Sequence, residues 1–350
     1  MVFRSSGPGR RPSVAPRQPG LDGFLNVNKP PEWTSHDVVA KVRGLLKHAK
    51  VGHTGTLDPM ATGVLPLCVG HATKVAHYLA DADKDYRVVM RLGVTTDTQD
   101  ATGRVLTRTD ARVSDDEILR VLNGLVGPLS QIPPMYSAVK VHGEPLYKAA
   151  REGRVVERQP RTVTISRLEV LGIAEGDVTF DVTCSKGTYV RTLCVEAGER
   201  LGVGASLQGL ERRRVGRFLL EDAWTVEDVE TRVRGGETGR MLRPIDDVLS
   251  DLPAADVDAA TAERACHGVA LPAEGVEVWE GTYRRGDLVR IRTAGSTVAL
   301  ATASLDQSEM RDGGRGVLKI ERVLVDPSAN VTDGLRGHAG RSDRNKKGEG

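Results

Sequence analysis

Apolar positions along the chain switch between a period of two and a period of roughly 3.6 residues, and the switches mark out a mixture of strands and helices. Gly23 to Val27 reads as a strand, and Ser35 is placed to cap a helix whose Val38, Val42, Leu45 and Leu46 share one face. After a glycine-bearing loop, Val64 to Val69 is a short apolar strand and Ala72 to Leu79 a helix. Tyr86 to Leu92 and Gly103 to Thr107 read as strands, and Ser114 to Leu122 as a helix with its own cap. Residues 131–160 form a polar insertion punctuated by Pro133, Pro134, Gly143, Pro145 and Gly153. Strands near 161–171 and 177–184 precede a helix from about 189 to 201. No strict β-α-β repeat appears, so the pattern predicts an α+β fold around a mixed sheet flanked by helices, with a larger domain at 21–250. Short strand-like runs (Val276–Val278, Leu288–Ile291, Val298–Ala301, Gly316–Ile320) then predict a small β-rich domain at 251–327.

The two ends have no apolar period. Residues 1–20 and 328–350 are polar and are expected to be disordered. Both also carry a net positive charge. The net charge is +2, with +4 from residues 1–20 and +3 from residues 336–350, which leaves −5 for the rest. Bulk charge therefore does not advertise a nucleic-acid binder, and any RNA surface must be local. No run reaches the eighteen or so apolar residues of a membrane span, and no signal-like segment follows the N-terminal arginines, so a cytoplasmic protein is expected. Cys68, Cys184, Cys194 and Cys266 lack metal-ligand spacing and read as buried thiols.

Residues 51–74, V-G-H-T-G-T-L-D-P-M-A-T-G-V-L-P-L-C-V-G-H-A-T-K, are the densest in candidate chemistry. Gly52, Gly55 and Gly63 permit close backbone approach or positive φ beside a bulky ligand. Asp58 is held extended by Pro59. By itself an Asp-Pro pair is ordinary turn punctuation. A phosphate-binding loop is excluded, because no Lys-Ser/Thr follows the glycines. His36, His48, His53, His71 and His77 crowd the region but form no recognised ligand motif, so no metal site is expected.

The string G-H-T-G-T-L-D-P followed by A-T-G-V-L-P resembles the signature of the TruB-type tRNA pseudouridine synthases. Supporting blocks follow in the family's order: N-K-P-P-E-W-T-S at 28–35, D-K-D-Y-R-V at 83–88, T-D-T-Q-D-A-T-G at 96–103, I-P-P-M-Y-S-A-V-K at 132–140 and C-S-K-G-T-Y-V-R-T at 184–192. Together they span roughly residues 24 to 220. One departure is plain: Glu32 stands where the family has a glycine. The C-terminal region resembles the family's PUA-like RNA-binding domain in size, position and β-rich character.

The resemblance implies an isomerase that cleaves the N1–C1′ bond of uridine 55 in the tRNA T-loop, turns the uracil and rejoins it through C5. No cofactor and no metal is implied, and a monomer is expected. Asp58 is the implied catalytic carboxylate, either attacking C1′ or removing the C2′ proton. Tyr86 is the implied base-stacking and proton-moving tyrosine, and Arg191 the partner of Asp58. Tyr189 and Leu210 are expected to line the pocket, and His53 to stack in the rearranged T-loop once the uridine is extruded. Lys29 and Lys74 are candidate phosphate or pocket contacts. The insertion at 131–160 reads as a thumb over RNA, with Lys140, Arg151 and Arg154 as its candidate contacts, and Arg212, Arg213 and Arg214 as a second basic patch. The competing class is a non-enzymatic tRNA-binding or folding factor, against which Asp58, Tyr86 and Arg191 together speak. A tRNA-folding role alongside the chemistry stays open.

Overall fold

A computed structural model describes residues 21–325 apart from residues 48, 49, 111, 138, 142 and 312–315. The two predicted tails, 1–20 and 328–350, and His48 therefore lie outside the described residues. The chain opens with strand β1 (Gly23–Lys29) and helix α1 (Ser35–Leu46). Thr34, not Ser35, caps that helix: its side chain accepts from the Asp37 backbone N–H, and Asp37 reaches back in a reciprocal capping box. Ser35 is buried one position inside the helix, where its hydroxyl exchanges hydrogen bonds with the backbone of Leu57. The start of α1 is thereby tied to the loop that carries Asp58.

Strands β2 (Val51–His53) and β3 (Thr62–Val69) flank that loop. The predicted helix after β3 is broken into a 3-10 turn at Gly70–Lys74 and a short α2 (Ala76–Ala80). Then come β4 (Lys84–Leu92), the hairpin β5 (Val94–Thr96) and β6 (Val105–Arg108), α3 (Asp115–Asn123) and β7 (Gly127–Gln131). The insertion holds a small hairpin, β8 (Lys140–Val141) and β9 (Glu144–Pro145), and helix α4 (Leu146–Arg151). Strands β10 (Arg161–Ala174) and β11 (Asp177–Cys184), helix α5 (Val190–Arg200) and strand β12 (Ala205–Val215) complete the centre. The sequence pattern did not reveal β12. Its segment E-R-R-R reads as solvated charge, yet it is the strand on which the two halves of the sheet meet.

In the main sheet β1 pairs with β3, β3 with β12, β12 with β4, and β4 with β11, β10 and β7 in turn. The β3–β12 contact is parallel and only two residue pairs long, Glu211 opposite Thr62 and Arg212 opposite Gly63. Gly63 has φ 100, and a Cβ there would lie 2.2 Å from the Arg212 carbonyl oxygen, so this crossing requires glycine. The other glycines of the signature loop, Gly52 and Gly55, have no such constraint on the side a Cβ would occupy.

Three buried clusters of the catalytic region follow from this layout. Val88, Met90, Phe180 and Val182 face α3 and α5 on one half of the sheet. Leu25, Val27, Leu65 and Leu67 pack against Val38, Val42 and Val229 of the helices on the other half. The opposite face of β1 and β3, with Phe24, Val64 and Cys68, packs on Leu249, Leu300 and Leu324. Leu300 belongs to the C-terminal sheet, whose strands span Ala254–Val257 through Val317–Val323, and Leu324 directly follows its last strand. The β-rich domain thus shares a core with the catalytic region. Among the described residues no helix is long and apolar enough to cross a membrane.

Candidate active site

Asp58 and Arg191, 133 positions apart in sequence, meet where the β2–β3 loop faces the start of α5. Arg191 Nε lies 2.8 Å from Asp58 Oδ2, and Nη2 donates to Oδ1 at 3.1 Å, a two-pronged grip. The guanidinium is 5% exposed while the carboxylate retains 30% of its surface, so the arginine is the buried floor and the aspartate the accessible group. Arg191 is itself anchored: Nη2 donates to the Tyr136 carbonyl at 2.8 Å and Nη1 to that of Thr98 at 3.2 Å. Burial pushes the Asp58 carboxyl above its ordinary value; Arg191 opposes that rise, Asp100 adds to it, and Lys29 opposes it.

Asp100 is a site residue that sequence reasoning quoted within a block but did not single out. It is buried, and its carboxylate lies 3.9 Å from Arg191 Nε. It accepts from the Thr98 hydroxyl at 2.7 Å, the Thr102 hydroxyl at 2.6 Å and the Thr102 N–H at 3.0 Å. Two carboxylates therefore share one guanidinium, one locked by threonines and the other open. The available signal was the threonine on either side of Asp100, spaced for a side-chain-closed turn.

Tyr86 lies on β4 directly opposite Arg212 on β12 and is 8% exposed. Leu210 is partly buried against the cluster that contains Leu57 and Tyr86. Tyr189 precedes α5, its backbone N–H donating to Gln131 Oε1 at 3.0 Å. Burial pushes its phenol up, and it stands two residues before Arg191 at the start of α5. His53 ends β2, half-buried, with its ring edge-on to His36 at 5.7 Å. Burial, with His36 and Arg212 nearby, lowers it to about 4, so at neutral pH it is an uncharged ring suited to stacking.

The remaining histidines do not gather. His71 is held by Asp22 and His77 stacks on Tyr78, and no group of three metal-capable side chains occurs among the described residues.

Several expected RNA contacts are employed inside the protein instead. Lys29 is fully buried, and its Nζ donates to the carbonyls of Pro30 at 2.8 Å, Trp33 at 2.7 Å and Pro59 at 3.1 Å. It fastens the 30–33 turn to the residue after Asp58. Burial lowers it to about 8, which leaves it mostly charged at neutral pH. Lys74 donates to the Val323 carbonyl at 2.6 Å and so bridges to the C-terminal sheet. Arg154 lies between Glu144 and Glu152, its charge matched within the thumb. Lys140 is exposed, and Arg151 lies 5.6 Å from the centre of the Tyr147 ring, so both remain at the thumb surface. The Arg212–Arg214 patch dissolves too: Arg212 is buried, Arg214 grips Asp85, and Arg213 is 3.7 Å from Asp181.

Glu32, the departure from the family pattern, has φ 65 and is exposed, with its N–H donating to the Pro59 carbonyl at 2.9 Å. A glycine suits that backbone without strain. Left-handed strain of about 1–2 kcal/mol outweighs glycine's entropic cost of roughly 0.5–1 kcal/mol. Glu32→Gly is therefore expected to stabilise the protein by about 0.5–1 kcal/mol in denaturant unfolding. A destabilised variant would show that Glu32 makes compensating contacts.

The fold is that of an RNA-modifying enzyme with an appended RNA-binding domain, and the comparisons narrow the class. Residues 43–190 match the TruB family pseudouridylate synthase N-terminal domain, residues 191–250 the tRNA pseudouridylate synthase B C-terminal domain, and residues 255–324 the PUA domain. The tRNA pseudouridine synthase B of Ralstonia pickettii (strain 12J) is 42% identical over 319 residues, 90% of this chain and 97% of that protein. That of Dechloromonas aromatica (strain RCB) is 45% identical over 277 residues, 79% of this chain and 92% of that protein. Among solved structures, a chain of a Cbf5–Nop10–Gar1 complex superposes with TM-score 0.69 at 31% identity, covering 87% of this chain and 85% of that one. The chain belongs to the TruB family of pseudouridylate synthases.

Proposed function

We propose that this protein is a tRNA pseudouridine synthase that isomerises uridine 55 of the T-loop, acting as a monomer in the cytoplasm. The observation that carries the reading is the Asp58–Arg191 pair: an accessible carboxylate gripped at both oxygens by a buried guanidinium. The grip fixes the attacking geometry and favours the ionised carboxylate against the desolvation of the crevice. Asp58 then either bonds to C1′ as uracil departs or takes the C2′ proton; both routes need the carboxylate form. Tyr86, Tyr189 and Leu210 supply an aromatic and apolar surface for the extruded base, and Tyr86 carries the proton exchanged between N1 and C5. His53, uncharged at the end of β2, fills stacking space in the rearranged loop. All of these groups come from one chain, and Lys140 and Arg151 of the thumb supply phosphate contacts beside them.

An isolated T-arm stem-loop is expected to be a substrate, because the proposed contacts surround one loop. Its affinity is expected to fall as salt rises, through counterion release from neutralised phosphates. A T-arm that never reacts while whole tRNA does would overturn this recognition mode.

A further inference from the structure

Arg212 is a buried guanidinium that no carboxylate answers. It is 2% exposed, and among the described residues it forms no ion pair, whereas Arg213 and Arg214 beside it face Asp181 and Asp85. Its Nε donates to the Val64 carbonyl at 2.7 Å and its Nη2 to that of Gly55 at 3.1 Å, and it stands directly opposite Tyr86 in the sheet. An irregularity of register between Arg212 and Arg214 lets Arg212 turn inward beside an Arg214 that stays with Asp85. A buried charge without a partner is expensive. Here the cost is compounded by neighbours, since Arg212 depresses the basicity of Lys29, His53 and Lys84. Joining two backbone carbonyls requires donors but no charge, so the charge has another use.

That use follows from the residue Arg212 faces across the sheet. Tyr86 and Arg212 are cross-strand partners on one face of the sheet, and a guanidinium only donates, so it offers the phenol's proton no acceptor. We propose that Arg212 is a positioning residue of the reaction, acting through Tyr86: it leaves the phenol's proton free for the pocket and its charge steadies the phenolate that forms when the proton leaves. This rests on the reading of Tyr86 as the proton carrier. The balance closes within one turnover. The N1–C1′ bond breaks with its electron pair on uracil, and Tyr86 gives N1 its proton. C5 then bonds to C1′, the C5–H bond breaks to restore the ring double bond, and that proton returns to the phenolate. The charged and titratable groups that act on Tyr86 are Arg212, directly opposite on β12, Cys184 of β11 and Asp58 of the catalytic loop. Burial raises the phenol above its ordinary value, and Arg212 is the largest influence against that rise. Tyr86 therefore rests protonated, as a donor must, beside a cation that favours its ionised form.

The test joins a rate to a titration. Single-turnover rates on tRNA are measured for the wild type, Tyr86→Phe, Arg212→Gln, Arg212→Lys and the double variants. Tyr86 ionisation is followed by tyrosinate absorbance, with the Tyr86→Phe protein subtracted. Arg212→Gln keeps donors for the carbonyls but loses the charge. It is expected to be about tenfold slower or more, with the Tyr86 midpoint about one pH unit or more higher. Arg212→Lys is expected to hold the midpoint near that of the wild type and to recover part of the rate. On the Tyr86→Phe background the Gln change is expected to cost less than about twofold. A folded Gln variant with an unmoved Tyr86 midpoint, or with its full loss persisting on the Phe background, overturns the proposal. Should the Gln protein not fold, the Lys variant decides: a shifted midpoint, or a loss that persists without Tyr86, overturns it. Wild-type rates in Tyr86→Phe alone would instead remove the proton-carrier reading beneath it.

Discussion

Asp58→Asn is expected to abolish turnover, lowering the single-turnover rate on the order of 10³-fold or more, with tRNA affinity within a few fold of the wild type. Asparagine fills the same space and its amide oxygen still accepts one bond from Arg191, so the loop stays in place. What disappears is the negative charge that either attacks C1′ or takes the C2′ proton. The proposed phosphate contacts lie on the thumb, and the stacking surfaces are Tyr86, Tyr189 and His53, none of which the change touches. The check is a rate measured with enzyme saturating, beside a filter-binding titration. Loss of affinity matching the loss of rate would make Asp58 a binding residue and not the reacting group.

The second large effect concerns Arg191. Burial already raises the Asp58 carboxyl above its ordinary value, and Arg191 is the strongest influence holding it down. Arg191→Met removes that influence, so the carboxyl rises further and is less often ionised at a given pH. The acid limb of the single-turnover profile should then move to higher pH, and the rate should recover in part as pH rises. Arg191→Lys keeps a cation but loses the two-pronged geometry, so it should shift the limb less and still lower the plateau. Arg191 also holds the carbonyls of Thr98 and Tyr136, so the Met variant must be shown folded by circular dichroism. A folded, slow Met variant with an unmoved acid limb would show that the arginine acts on the substrate instead.

Much of this site was legible in the sequence, but through motif resemblance and not through physics alone. Asp58 before Pro59 is ordinary turn punctuation until the surrounding blocks are recognised, and nothing in the spacing announces that Arg191 meets it. Asp100 was passed over because an acid among threonines reads as a loop. Only the fold shows that its turn lies against Arg191. Arg212 was misread for a deeper reason. A run of three arginines looks solvated, and the irregular register that turns the first one inward leaves no trace in composition. Lys29 and Lys74 share a related difficulty. A long side chain is identified by its residue type, but its function is set by where Nζ ends, and here both end on backbone carbonyls. The position of Glu32 was flagged by its departure from the family glycine, and the positive φ supplies the physical reason for the glycine.

The central claim is that the Asp58 carboxylate, held by Arg191, isomerises one T-loop uridine. The most direct test is to map pseudouridine, nucleotide by nucleotide, in unmodified tRNA after incubation with the purified full-length protein. The expected result is a single new pseudouridine at position 55 with the wild type and none with Asp58→Asn. No product with the folded wild type, or product at position 55 with an Asn variant shown free of deamidation, would contradict it.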